Sequence, residues 1–470
     1  MKLIAVIITC LLSITLISCK NEKVKVNKKP NVIIILSDDQ GYGDLGRHGH
    51  PILKTPNLDK FYDQSVRFTK FHVSPTCAPT RAALMTGKHE FKSGVTHTVA
   101  GWGREKLSLE STTLATHLKN AGYSTGLFGK WHLGKTGAYR AEKRGFDVAL
   151  TIEGAKNPPK NHWDPNLMLN GVEHNYKGFR TDIFFNEATK WISEKKETPF
   201  FCYIPTYSPH GPIDAPKEFI EQYKGHGSGK YWAAESNIDW NVGKLMKKLK
   251  ELGIDDNTLV IYMNDNGGTH VTTYNAGMRG KKATVWMGGT RAMSLWRWPK
   301  HFTPGDVDKL CGHTDVMPTI AELAESPIPD SYKVEGKSLL PLLKDVNADF
   351  PDRVSIRHLG RWPNGELEKH KYIGASVLWK NYRLIRTEVC GNEACEGECK
   401  AFYKAKKEGG SNGFHRATTT PLKQWNLFDV DKDPLAENDL AKEKPELVKK
   451  LSGKFEDWWV EVQPYLINDK

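Results

Sequence analysis

Two acidic pairs stand directly behind two apolar runs. Asn31-Val-Ile-Ile-Ile-Leu36 leads into Ser37-Asp38-Asp39-Gln40-Gly41, and Thr258-Leu-Val-Ile-Tyr-Met263 leads into Asn264-Asp265-Asn266-Gly267-Gly268. Asp38, Asp39, Asp265 and Asn266 offer hard oxygen ligands with no His or Cys among them, a set that suits Ca2+ or Mg2+ rather than zinc. Singly, each also fits a turn or a helix cap; two pairs after two apolar runs favour the ligand reading. A second candidate is Ser74-Pro-Thr-Cys77-Ala-Pro-Thr-Arg81-Ala-Ala-Leu-Met-Thr-Gly87. Pro79 belongs in a first helical turn. Cys77 then sits at a helix N-terminus, where free N–H groups and the dipole favour negative charge, with Arg81 one turn on along the same face. A buried Cys beside a solvated Arg is the alternative. Gly129-Lys130-Trp131-His132-Leu133-Gly134 follows the strand-like Tyr123 to Phe128, and on extended backbone Lys130 and His132 point the same way. Ser208-Pro209-His210 follows a third apolar run, Pro199 to Ile204. Arg279-Gly280-Lys281-Lys282-Ala-Thr284 through Gly288-Gly289-Thr-Arg291 is a Gly-flanked basic turn. For these last stretches a solvated loop is the alternative.

Unbroken β-branched runs without alternation imply parallel strands covered on both faces. Between them lie helical patterns: Thr113 to Asn120 closing at Gly122, Phe179 to Glu194, and Trp232 to Leu252 stopping at Gly253. Alternation of the two predicts an α/β fold with a large, mostly parallel sheet between helices. In such a sheet the carboxyl ends of the strands form the ligand crevice, so Asp38, Asp39, Asp265, Asn266 and His210 should converge. Pro327, Pro329, Pro341 and Pro351 mark a shift in composition. A catalytic domain is expected over 31–345 and a smaller C-terminal α+β subdomain over 346–470. That subdomain has short strand-like segments at Tyr372 to Leu378 and Tyr382 to Ile385, and a terminal helix from Glu446 to Val460.

Lys plus Arg outnumber Asp plus Glu, 67 to 55, for a net charge of +12. Such an excess attracts polyanions, whether nucleic acid, anionic membrane or sulfated polysaccharide. No arginine-rich run or nucleic-acid motif is present, so no nucleic-acid partner is expected. Charged residues at 26% and hydrophobic residues at 39% fit a globular chain and argue against disorder. Leu3 to Ile17 is apolar and too short to span a bilayer, the layout of a secretory signal. Leu16-Ile17-Ser18-Cys19 resembles a bacterial lipobox. Residues 1–18 are thus expected to be a signal peptide, Cys19 to be lipidated, and 19–30 to tether the domain to a bacterial membrane, on its periplasmic face or the cell surface. An ordinary signal peptide with an incidental Cys is the alternative. Cys390, Cys395 and Cys399 crowd one Gly- and Glu-rich turn, where a disulfide is expected in an oxidising compartment; a zinc site would need a fourth ligand. Cys202, inside an apolar run, reads as inert core.

Taken together, these stretches resemble the type I sulfatases of the alkaline-phosphatase-like superfamily, in order from about residue 30 to the end. Cys77-Ala-Pro-Thr-Arg81 through Thr86-Gly87 is similar to the family signature, with the C-x-P-x-R core read by the formylglycine-installing enzyme. Gly129 to Gly134 is similar to the second signature. Arg144-Gly-Phe-Asp147, Pro209-His210-Gly-Pro212, Trp425-Asn-Leu-Phe-Asp429 and Asp433-Pro434 also resemble family stretches. The resemblance implies that Cys77 is oxidised to formylglycine (3-oxoalanine) and hydrated to a gem-diol, and that Asp38, Asp39, Asp265, Asn266 and an oxygen of modified Cys77 hold Ca2+. It implies that one hydroxyl, positioned by Arg81 and with Asp265 as base, attacks sulfur. Lys130 and Lys282 offset charge on the sulfate, and His210 protonates the leaving oxygen, with Lys282 a second candidate. His132 takes the second hydroxyl's proton and so expels sulfate. The basic turn departs from the family pattern: Met287 stands for the usual Glu, and Met293 for the usual Pro. Lys282 rather than Lys281 aligns, because Thr284 and Gly288-Gly289 then fall in place. A phosphodiester or phosphonate hydrolase of the same superfamily and a non-catalytic, glycan-binding lipoprotein are the competing readings. The expected substrate is a sulfated polysaccharide or oligosaccharide, with Arg357, His358, Arg361 and Trp362 as candidates to line a sugar pocket; an ordinary surface turn is the alternative.

Overall fold

Val32 to Leu36 carries an apolar side chain on both sides of its pleat, so it is stable only where both faces are covered. The computed structural model, which describes residues 29–98, 104–156, 162–269, 274–362, 365–389 and 422–466, covers them. Strand β1 (Asn31–Asp38) pairs in parallel with β8 (Phe200–Pro209) on one side and β9 (Thr258–Asn264) on the other. β4 (Ser124–Gly129) extends the parallel core beyond β8, and β5 (Val148–Thr151) pairs parallel to β4. The edges turn antiparallel. β6 (Asn166–Leu169) and β7 (Val172–Asn175) form one flank, and β10 (Ser294–Arg297) lies antiparallel to β9. β2 (Val66–Phe68) and β11 (Gly305–Val307) finish a ten-stranded sheet of order β11-β2-β10-β9-β1-β8-β4-β5-β6-β7.

The pleat divides β1 between two cores. Val32, Ile34 and Leu36 pack with Ala78, Ala82, Leu84 and Met85, while Ile33 and Ile35 pack with Phe184, Ala188, Ile192, Ile238 and Val242. The second set comes from the helices Arg180–Lys195 and Gly229–Glu251, whose apolar residues recur at helical spacing. The first comes from the helix Cys77–Thr86, all ten residues of which are buried. A helix buried all round cannot shift without opening the core; truncating Leu84 to Ala would cost about 2–5 kcal/mol. β3 (Phe71–His72), just upstream of that helix, pairs in parallel with β12 (Cys311–Gly312).

The C-terminal part forms an antiparallel sheet of β13 (Val354–His358), β14 (Ala375–Trp379), β15 (Tyr382–Thr387) and β16 (Leu422–Asp429). The terminal helix Pro445–Val462 lies across it, burying Leu451, Phe455, Trp458 and Trp459 against Phe91, Trp362, Val377 and Leu384. Cys202 is in β8, fully buried with its thiol pKa pushed well up by burial, as an inert core residue should be. Cys19 and the Cys390, Cys395 and Cys399 turn lie outside the described residues. No helix among the described residues is long and apolar enough to cross a membrane.

Candidate active site

β1 and β9 end side by side, and their acidic loops meet. Asp39 N–H donates to Asp265 Oδ1 at 3.3 Å, and Asn266 Nδ2 to Asp39 Oδ1 at 2.9 Å. Asp39 takes a left-handed backbone, φ 69°, which Asp tolerates better than most residues. Gln40 braces the loop from within: its Oε1 accepts the hydroxyls of Ser37 and Tyr262, each at 2.6 Å, and Asn264 Nδ2 donates to its carbonyl at 3.0 Å. Asp38, Asp39, Asp265 and Asn266 are all buried. Asp38 Oδ1 and Asn266 Oδ1 have no hydrogen-bond partner, a state that costs about 1–3 kcal/mol for each buried acceptor. Asp38, Cys77 and Asp265 each bring a ligand atom within 4.8 Å of one another, as do Asp38, Asp39 and His210. The donor set fits a divalent cation: hard oxygens, two of them without a partner, and carboxylate charge that a cation would offset.

Cys77 opens its helix at the mouth of this acidic cradle. Arg81, one turn on, donates Nε and Nη2 to Asp265 Oδ2 at 3.2 and 2.8 Å and Nη1 to the Lys130 carbonyl at 2.6 Å. Every arm of the guanidinium fork is therefore held. Lys130 reaches in from the end of β4, with Nζ 2.5 Å from Asp38 Oδ2 and 3.7 Å from Cys77 Sγ. The turn before it needs Gly129, φ 144°, because a Cβ there would overlap the Pro205 carbonyl. The basic turn brings Lys282 Nζ to 2.5 Å from Asp39 Oδ1. Its backbone is pinned from two sides: Lys282 N–H donates to the Gly268 carbonyl at 3.1 Å and Ala283 N–H to the Pro75 carbonyl at 2.8 Å. Gly267 packs against this turn so closely that a Cβ there would overlap the Gly288 carbonyl, and within the turn Cβ atoms on Gly288 and Gly289 would overlap the Gly280 and Thr284 carbonyls. His210, after β8, places Nε2 3.8 Å from Asp39 Oδ2, and its Nδ1 donates to the Gly211 carbonyl at 2.7 Å.

These charges set one another's protonation. Burial works against an ionised Asp38, but Lys130, His210 and Arg81 outweigh it and hold the carboxyl well below its usual pKa. Asp265 goes the other way, raised by burial and by the Asp38 charge against Arg81; two facing carboxyls cannot both ionise freely. Burial opposes a Cys77 thiolate, yet Lys130 and Lys282 bring its pKa below the ordinary thiol value. Burial, with Lys130 and Arg81 beside it, lowers His132 to about 3, so its ring is neutral. Its Nε2 lies 3.0 Å from the Thr98 carbonyl, which can only accept. The proton is therefore on Nε2, and Nδ1, buried without a partner, keeps its lone pair.

The sequence-predicted cradle, Cys77, Arg81, Lys130, His210 and Lys282 thus meet at the strand ends. His132 lies near enough for Lys130, Arg81 and Asp38 to act on its ring, but not by strand alternation as expected: β4 stops at Gly129 and His132 itself is left-handed, φ 58°. The expected sugar pocket is corrected. Arg357 is only 4% exposed, and its donors go to the carbonyls of Val73, Ile356 and His72 at 3.0, 2.7 and 3.0 Å. His358 and Trp362 are each 1% exposed, sealed among Phe91, Phe455 and Trp459. Arg361 alone of the four stays partly open, its Nη2 donating to Thr98 Oγ1 at 2.8 Å, one residue that also touches His132.

Sequence reasoning missed several supports. Tyr231 joins the Asp39 carbonyl, at 2.9 Å, to Asp44, at 2.7 Å. Glu153 accepts the His132 N–H at 3.0 Å. Ser74 Oγ donates to Glu90 Oε1 at 2.5 Å and lies 2.8 Å from His313 Nε2, all three fully buried. Nothing local marks these residues; only the fold brings their partners together.

A family model described as Sulfatase matches residues 30–326. Human arylsulfatase A is 34% identical over 356 residues, 68% of this chain and 68% of that protein. Human N-acetylgalactosamine-6-sulfatase is 32% identical over 407 residues, 78% and 75% of the two chains. Among solved structures, Ps i-CgsB in complex with k-i-k-neocarrahexaose superposes with a TM-score of 0.77 at 25% identity, covering 93% of this chain and 94% of that one. The matched segment carries Cys77, the acidic cradle and the basic groups around them, and on that ground the chain belongs to the sulfatase family and is a sulfuric ester hydrolase.

Proposed function

We propose that this chain, with Cys77 oxidised to formylglycine and Ca2+ held by Asp38, Asp39, Asp265 and Asn266, removes sulfate from a sulfated polysaccharide or oligosaccharide. The observation that carries the reading is the seat of Cys77: first residue of a wholly buried helix, with the Lys130 ammonium 3.7 Å from its sulfur. Bound in the cradle, the cation would acidify a hydroxyl on modified Cys77 and offset charge on the sulfate. Arg81, locked by Asp265 and the Lys130 carbonyl, orients that hydroxyl, and Asp265 accepts its proton. Lys130 and Lys282 hold sulfate oxygens as charge shifts onto the leaving group. The leaving alcohol would take its proton from His210 as an imidazolium, whose Nδ1–H stays on the Gly211 carbonyl while Nε2–H is given up, or from the Lys282 ammonium beside Asp39. His132 then withdraws a proton at Nδ1, so that sulfate leaves and the aldehyde returns. A plain thiol or alcohol has no such exit.

The glycan assignment draws support from the neocarrahexaose bound to Ps i-CgsB, from the name of the N-acetylgalactosamine-6-sulfatase relative, and from the +12 charge of the chain. Arg361, beside Thr98, is the remaining sugar- or sulfate-contacting candidate. Export and a lipid anchor on Cys19 belong to the same proposal, with a membrane-held enzyme working on polymer outside the cytoplasm. The test is to co-express the chain with a formylglycine-installing enzyme, confirm the modification at Cys77 by mass spectrometry, and measure released sulfate across a panel of sulfated glycans. Sulfate from the parent and none from Cys77→Ala supports the reading. Cleavage of phosphonates or phosphodiesters without sulfate release would transfer the chain to that chemistry. Binding without any cleavage would leave a glycan-holding lipoprotein.

A further inference from the structure

A second concavity of about 590 Å3 is lined by Lys88, Lys106, Leu109, Tyr139, Tyr332 and Tyr465. Its cations are set on aromatic rings. Lys88 Nζ is 4.0 Å from the centroid of Tyr332, and Lys106 Nζ 5.5 Å from that of Tyr139. Tyr332 is rigidly placed, its hydroxyl 3.0 Å from the carbonyl oxygens of both Thr86 and Thr112. Glu110 also lines the groove and Glu335 attracts Lys88, but among the described residues neither comes within ion-pair distance of Lys88 or Lys106; Glu335 and Glu461 pair instead with nearby Lys92, at 2.5 and 2.6 Å. Leu109 and Tyr465, 52% and 48% exposed, leave apolar surface open to solvent at the same place. The groove shares its wall with the catalytic segment: the Trp131 indole donates to the Tyr139 carbonyl at 2.9 Å, and Leu107 N–H to the Leu133 carbonyl at 3.2 Å.

We propose that this groove is a second binding site for an anionic polysaccharide, separate from the catalytic crevice, which holds a neighbouring stretch of the polymer while one residue is desulfated. Ammonium groups would pair with sulfate or carboxylate, and the open Tyr465 ring with Leu109 would meet the C–H faces of sugar rings, so that only a ligand both anionic and ring-built uses the whole surface. The proposal rests on the sulfated-glycan reading above. The groove's place on the wall that carries Lys130 and His132 favours a polysaccharide over nucleic acid.

The test uses Cys77→Ala protein, which cannot turn over, with iota-carrageenan and chondroitin sulfate as probes in affinity electrophoresis. Lys88→Ala/Lys106→Ala should weaken polymer binding about tenfold, as two ion-pair contacts would, and Tyr465→Ala should weaken it less. Lys247→Ala/Lys250→Ala removes the same charge elsewhere and should change little. In matured enzyme the groove variant should keep kcat/KM for 4-nitrophenyl sulfate within about twofold of the parent. Unchanged polymer binding overturns the proposal. So does an equal loss in the control pair, which would show net charge alone, or an equally tight and equally sensitive complex with single-stranded DNA. Should the matured parent release sulfate from neither the aryl sulfate nor any sulfated glycan, the sulfatase mechanism falls while the binding measurement still decides the groove.

Discussion

Lys281 and Lys282 look alike in composition and sit in one Gly-flanked turn, yet the fold separates them. Lys282 carries its ammonium to Asp39, and its N–H is fixed by the Gly268 carbonyl. Lys281 turns its backbone toward Thr284, whose Oγ1 donates to the Lys281 carbonyl at 2.8 Å. Lys282→Ala should therefore lower kcat/KM for an aryl sulfate by about 10²–10³, the cost of losing one charged contact to a developing anion. Lys281→Ala should stay within about threefold. Measured rates in the opposite order would mean that the turn is shifted by one residue. At this scale the sequence was legible where residue type and position after a strand both constrained the chemistry, as for Asp38, Asp39, Asp265 and Asn266. It misled at Trp362 and His358. An aromatic beside Arg residues reads the same whether it lines a sugar pocket or is sealed, as here, by a helix that arrives some ninety residues later. Met287, where the family has Glu, packs at 4% exposure with Trp286, Phe428 and Met278; the C-terminal sheet supplies apolar support to the turn.

Between elements, one link runs from β13 to the helix that opens with Cys77. Arg357 Nε and Nη2 hold the carbonyls of Val73 and His72, while Ser74 donates to Glu90. His313 Nδ1 accepts the Thr314 N–H at 3.0 Å, so its Nε2 carries the proton and donates to Ser74 Oγ. Thr80 Oγ1 in turn accepts the Ser74 N–H at 3.0 Å. The chain before Cys77 is thereby tied to the C-terminal sheet by charge-assisted hydrogen bonds, with the buried Glu90 and Arg357 attracting one another. Burial lowers the Arg357 pKa only to about 10, so it remains a cation at neutral pH. Arg357→Ala should lower kcat about 10- to 100-fold through displacement of Cys77, the proposed nucleophile. KM for a small aryl sulfate should change little, and the mass spectrum should still show modified Cys77. Arg357→Lys, keeping one donor, should recover part of the rate. A fall in thermal stability with unchanged kcat would reduce Arg357 to a packing residue. The sequence reading did not mark the strands of this link, and their contact was not legible either: Arg357 and Val73 are far apart in sequence, and no periodicity within either segment encodes it.

For the molecule as a whole, the seam between the main domain and the C-terminal sheet is built on histidines that stay neutral. Burial holds His89 and His358 at about 3. His89 packs at a tilt against Trp458, 4.9 Å between centroids, and His358 against Trp459, 5.3 Å. Unfolded histidine titrates near 6.5. Above that pH neither state binds the proton, and these residues cost nothing. Below it the unfolded chain takes protons that the folded chain refuses, so stability falls as pH drops from about 6.5 toward 3, by up to about 1.4 kcal/mol per pH unit for each such histidine. The terminal helix is held to the sheet chiefly by apolar contact, so this seam should be the first part to yield to acid. Denaturant midpoints should be flat from pH 8 to 6.5 and decline at pH 5. His358→Gln loses packing and starts lower at pH 8, but it has no proton to take up, so its decline from pH 6.5 to pH 5 should be shallower than the parent's by about 1–2 kcal/mol. Parallel declines in the two proteins would place the acid sensitivity in the other histidines that burial holds neutral, His48, His50 and His97 among them.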